Sequence, residues 1–218
     1  MFVYLAGMID GSLQSWIGLT SGAVALASFI PYIRSILRGQ TRPNRASWII
    51  WAFAEIITTA TYAASGADAT VWIAAGYSVG TITVASLSLR YGEGGASAID
   101  VMCLIGASVA LIPWLALDQA ELALYMIIFV DVLAVFPTLK KAIADPESED
   151  RTYWSLSFLA AIINLFAIDR WAPEIAAFPI YCFLGAGAIV AALYSHSLIR
   201  ALRVRQPALP ASVPNLQS

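Results

Sequence analysis

Two stretches of this chain, 106 positions apart, carry the same arrangement of residues. The first reads FIPYIRSILRGQTRPNRASW and the second VFPTLKKAIADPESEDRTYW. Without a gap, Pro31 matches Pro137, Arg34 matches Lys140, Arg45 matches Arg151 and Trp48 matches Trp154. A proline near the end of one apolar stretch, a charged hairpin and a Trp opening the next stretch form a unit. The chain holds that unit twice, and an internal duplication in a very apolar chain implies a membrane protein assembled from repeated helices.

Composition carries the membrane half of that argument. Apolar residues make up 60% and charged residues 12% of the chain, with a mean hydropathy of +0.76. Soluble domains hold about 45–50% apolar and 25% charged residues, so such a chain could not cover a soluble surface. The expected fold class is an all-α polytopic membrane protein. The opening residues MFVYLAGMIDGS lack a basic region, and Asp10 and Gly11 break their short apolar run. No cleavable signal peptide is therefore expected.

Spanning helices need about 20 mostly apolar residues. Seven stretches qualify: 15–37, 46–64, 70–90, 98–117, 121–143, 152–168 and 174–198. With the N-terminus outside, eleven of the twelve basic residues fall on the inner side and only Arg170 on the outer. That bias places the C-terminus in the cytoplasm and the chain in a plasma (inner) membrane. Trp16, Trp48, Trp154 and Trp171 sit at span ends and suit the interfacial belt. Trp51 and Trp72 lie deeper. The tail from Gln206 reads as a disordered cytoplasmic extension.

The repeated unit covers spans 1–2 and 5–6. If each copy takes the span that follows, residues 1–92 form one three-helix repeat, 93–118 a linker helix, 119–200 a second repeat and 201–218 the tail. An even number of crossings separates the copies, so the two bundles run parallel, with a site expected between them near the midplane.

This arrangement resembles the PQ-loop and SWEET-like transporters, with the motif positions occupied by Pro31-Tyr32 and Pro137-Thr138. Neither is a Pro-Gln pair. The segment Ser47-Trp48-Ile49-Ile50-Trp51 is also similar to the WxxW segment of nicotinamide-riboside (PnuC-type) transporters. The resemblance implies a 3+1+3 fold, alternating access between two bundles, and acids in these helices used for proton coupling. Independently of any family, a proline inside a helix removes a hydrogen bond and kinks it. Pro31 and Pro137 are accordingly expected as hinges.

Two acids fall in mid-span, Glu55 and Asp131, with no Lys or Arg at similar depth. An ionised carboxylate there costs about 2.5–3.5 kcal/mol on insertion scales, so each is retained for a reason or stays protonated. Both are candidate proton-coupling groups, Asp131 the stronger because it lies six residues before Pro137. The plainer alternative is a protonated acid hydrogen-bonded across helices. The repeat offset equates Thr58 with Asn164, and both are expected as ligand contacts. Trp51, Tyr77, Ser78 and Tyr181 complete the candidate solute-binding set. SWEET-like sites pair Asn and Trp, but the third helix of each repeat here supplies Tyr77, Ser78 and Thr81, or Tyr181 and Cys182, and no Asn. Gly76 and Gly80 have GxxxG spacing, suited to close helix packing or a dimer contact.

Catalytic signatures are missing. The sequence has no HExxH, CxxC, GxSxG or Walker pattern. Its only lysines, Lys140 and Lys141, are expected in a cytoplasmic loop, so the seventh span offers no amine for a Schiff base. Cys103 and Cys182 lack metal-ligand spacing and read as packing residues. The lone His196 and the acidic run Asp145, Glu147, Glu149 and Asp150 read as surface features. No enzyme activity, metal, cofactor or nucleic-acid partner is expected. The sequence points to a transporter of a small polar solute in the lipid bilayer, with a homo-oligomer left open. A non-transporting receptor or adaptor, or a structural subunit of a membrane complex, is the alternative on the same fold.

Overall fold

The computed structural model describes residues 11–40, 42–43, 45–92, 98–144, 146 and 149–204. Among these the chain forms seven α-helices and no strand: α1 Leu13–Leu37, α2 Arg45–Ala64, α3 Val71–Tyr91, α4 Ala98–Leu117, α5 Ala120–Ala144, α6 Arg151–Leu165 and α7 Pro173–Val204. The expectations for the first ten residues, for Asp145 and Glu147 and for the tail from Gln206 fall outside the described residues. So do those for the side chains of Cys103, Pro137, Lys140, Lys141 and His196, although positions 140 and 141 lie inside α5 rather than in a loop.

Local chemistry explains the helix ends. Ser12 caps α1 by accepting from the Ser15 backbone N–H at 3.1 Å, and Asp150 caps α6 by accepting from that of Tyr153 at 2.9 Å. α1 stops where Gly39 takes a left-handed conformation (φ +70) that carries no Cβ penalty. Gly39 N–H then reaches Ile36 O, and Gln40 N–H reaches Ser35 O at 3.0 Å. Two ends differ from the sequence reading. α6 stops at Leu165 rather than 168 because Phe166 and Ala167 turn back onto Ile163 and Asn164. α7 runs on past 198 to Val204, since nothing in its last turns breaks a helix.

Among the described residues, three helices are long and apolar enough to cross a membrane: α1, α3 and α7 over Pro173–Ser195. α6, at 15 residues, extends only about 22 Å at 1.5 Å per residue. The outer faces of α4 and α5 expose Met102, Ile105, Ile112, Leu115 and Phe129. So broad an apolar surface needs a non-aqueous neighbour.

Helix contacts repeat along the chain. α3 lies against both α1 and α2, and α7 lies against both α5 and α6. α1 packs on α6, and α2 packs on α5. Moving each helix four places along the chain maps these contacts onto themselves. One side-chain contact obeys the same rule. Arg45 donates to the carbonyls of Ser88 (3.2 Å) and Gly92 (2.9 Å), while Arg151 lies over the Tyr194 ring at 5.7 Å. Ser88 and Tyr194 are themselves 106 positions apart. α4 stands outside this pattern, packed on α5 and α2.

Candidate functional site

The stripe Trp48, Trp51, Glu55 and Thr58 recurs at the spacing of one helical face, and α2 turns that face towards α5 and α7. A cavity of about 540 Å³ lies there. α5 contributes Asp131, Val135 and Thr138, and α7 contributes Phe178, Tyr181 and Cys182. Tyr32, Tyr77, Tyr153 and Ser157 come from α1, α3 and α6. The lining runs from the exposed Asp150 in the α5–α6 hairpin down to Thr58 and Phe178.

The two acids meet in this cavity from different helices, within electrostatic reach of one another. Asp131 Oδ2 accepts a hydrogen bond from the Tyr181 hydroxyl at 2.8 Å. Glu55 Oε2 is buried with no hydrogen-bond partner, although the rest of its side chain is half-buried against the cavity. No basic side chain lines the cavity among the described residues. The nearest arginine in sequence, Arg45, is held on the α3 C-terminus instead.

Aromatic rings line the mouth in contact with one another. Tyr32 and Trp48 have ring centroids 5.1 Å apart, as do Trp48 and Trp51, and Tyr153 and Trp154. The sequence reading expects Trp48 and Trp154 at a membrane interface, yet both face inward. The same helical stripe that carries the polar residues carries them, so orienting one orients the other. Trp16 and Trp171, 59% and 71% exposed at helix ends, do face outward.

Beyond the deep end of the cavity the helices close. Pro179 has no N–H to offer the Ile175 carbonyl one turn back, and the buried Tyr62 hydroxyl donates to that carbonyl from α2. The Thr70 hydroxyl lies 2.6 Å from the same Tyr62 oxygen, and the Tyr62 and Phe178 rings are 5.3 Å apart. Ser21 Oγ donates to the Ala160 carbonyl at 2.8 Å, joining α1 to α6.

Of the expected site residues, Trp51, Glu55, Thr58, Tyr77, Asp131 and Tyr181 come together at the cavity. Two do not. Ser78 is fully buried between Thr59 Oγ1 and the Glu55 carbonyl, each at 2.8 Å, and clamps α3 to α2. Asn164 is fully buried, its amide oxygen and nitrogen unpartnered, away from the cavity lining. Its helix packs along α1 at that level, where the Ser21 contact draws the two backbones together. Pro31 lies inside the unbroken helix α1, and position 137 inside α5. Tyr32, Tyr153, Trp154 and Phe178 were not anticipated. The offset linking Trp48 to Trp154 was the available signal for one of them.

Known protein families, curated proteins and solved structures include no match to this chain.

Proposed function

We propose that this protein is a transporter of a small polar solute, working by alternating access in a cell membrane. One observation carries the reading: a central cavity opens beside the α5–α6 hairpin, holds two acids at its depth, and ends against a hydrogen-bonded closure at Tyr62. A site reachable from one end and sealed at the other is what one state of an alternating-access cycle requires.

In this reading all seven helices cross the bilayer, α6 with the help of the buried turn at Ala167 and Ile168. α1–α3 form one bundle, α5–α7 a second, and α4 is the linker, as in the PQ-loop and SWEET-like fold. The α1–α2 and α5–α6 hairpins, flanked by basic residues, face the cytoplasm, so the cavity is inward-facing. Rocking of the bundles about the site would break the Tyr62–Ile175 bond and close the aromatic mouth. Pro31 and Pro137 serve as hinges near that mouth. Asp131 and Glu55 carry the coupling proton, and no catalytic step is involved.

Cys182 lines the cavity and reports its state. In a Cys103→Ser background in oriented vesicles, a membrane-impermeant thiol reagent should label Cys182 only from the side of the α1–α2 and α5–α6 hairpins. Labelling from the opposite side alone would reverse the orientation, and labelling from neither would remove the open cavity. Asp131→Asn should abolish the pH dependence of transport while the protein stays folded. Unchanged pH dependence in that variant would end the coupling role.

A further inference from the structure

We infer that the transported solute is a small organic cation bearing an ammonium group. The inference rests on the transporter reading and deepens it by naming the substrate class.

Charge balance is the first argument. Glu55 and Asp131 reach one cavity from opposite helices, and no Lys or Arg side chain joins them among the described lining residues. Glu55 Oε2 lacks any partner, and Asp131 has a neutral one in Tyr181. Two carboxylates in an apolar interior invite a cation to sit between them. Glu149 and Asp150 add acidic side chains at the mouth, while Arg45 and Arg151 are both engaged on the third helix of their half. A path lined by acids and cleared of arginines draws cations inward and rejects anions.

The walls supply the second argument. Trp48, Trp51, Tyr32 and Tyr77 face the same space as the acids, and Tyr153 lies within electrostatic reach of both carboxylates. Aromatic faces attract cations through the ring quadrupole, and an alkylated ammonium is their best-matched guest. A neutral sugar would want an amide to bracket its hydroxyls, and no Asn or Gln lines the cavity among the described residues. The buried amide of Asn164 is not among the residues that line it. The volume of about 540 Å³ suits a metabolite rather than a bare metal ion, and the described residues hold no metal-ligating cluster.

Choline and its all-carbon analogue, in which a quaternary carbon replaces the nitrogen, separate charge from shape. Binding to the full-length protein is read by quenching of tryptophan fluorescence, and exchange by counterflow in vesicles. Choline should bind at least about tenfold tighter than the analogue. Glu55→Gln and Asp131→Asn should each lower choline affinity about tenfold and erase that preference. Equal affinity for the two compounds, or no choline binding at all, overturns the inference without any variant having to fold. Counterflow of neutral polyols but not of choline would remove the cation and keep the transporter. Choline binding without exchange of any solute would keep the cation site and remove the transporter.

Discussion

Between α1 and α3 the backbones meet through glycine, whereas the equivalent seam between α5 and α7 is built from side chains. A Cβ on Gly22 would lie 2.3 Å from the Trp72 carbonyl oxygen, and one on Gly76 would lie 2.3 Å from that of Gly22. A Cβ on Gly80 would meet the Phe29 ring at 2.2 Å. One repeat length on, Gly22, Gly76 and Gly80 become Ile128, Cys182 and Ala186. The second seam cannot close to the same distance, and Cys182 and Ala186 line the cavity there. Two halves with one contact pattern thus differ in how tightly one pair of helices can approach. The cavity lies on the looser side.

The sharpest way to break that comparison is to put a side chain into the tight seam. Gly22→Val has no flexible neighbour to displace and should cost about 3 kcal/mol or prevent folding. Cys182→Val, at the cavity, should cost less than about 1.5 kcal/mol. Denaturation of both variants in detergent gives the ratio. Similar losses would mean that the glycines do not distinguish the halves.

The closed end is asymmetric too, because Tyr62 has Ile168 as its counterpart and no second hydroxyl. Tyr62→Phe leaves the proline-freed Ile175 carbonyl unsatisfied and should cost about 1–3 kcal/mol. In a Pro179→Ala background the helix supplies its own N–H, so the same change should cost markedly less. A double-mutant cycle with no coupling would show that this bond does not hold the closure.

Asn164 and Thr58 sharpen the comparison from within. Asn164→Leu removes two buried, unpartnered polar atoms and should be neutral or stabilising by up to about 2 kcal/mol. It should leave Cys182 labelling and its protection by solute unchanged. Loss of that protection would make Asn164 a ligand group after all. The smallest effects belong to the arginine anchors. Arg45→Ala, losing two carbonyl contacts, should cost about 1 kcal/mol, and Arg151→Ala about 0.5 kcal/mol for its ring contact. Reversed magnitudes in thermal melts would contradict the assigned anchors.

Helix positions were legible because apolar stretches and their polar breaks are local. Most ends fall within two residues of the sequence reading, and the misses at Leu165 and Val204 depend on a turn and on an unbroken polar helix. Half of the site was legible for the same reason. Trp51, Glu55 and Thr58 share a face by spacing alone, and Trp48, expected at the membrane interface, falls on that face too. Asn164 was not, because the offset that equates it with Thr58 says nothing about the neighbour packed over it. Ser78 was expected as a solute contact, yet its hydroxyl donates to the Glu55 carbonyl instead.

The sequence by itself determined an all-helical, apolar chain with a duplicated unit, since composition, periodicity and repetition survive in any conformation. Only the tertiary structure decided which copies of equivalent residues share a cavity. Two glycine-bearing helices approach until their backbones touch, and side chains at the equivalent positions hold their counterparts apart. That difference arises between helices distant in sequence, where no local pattern can record it.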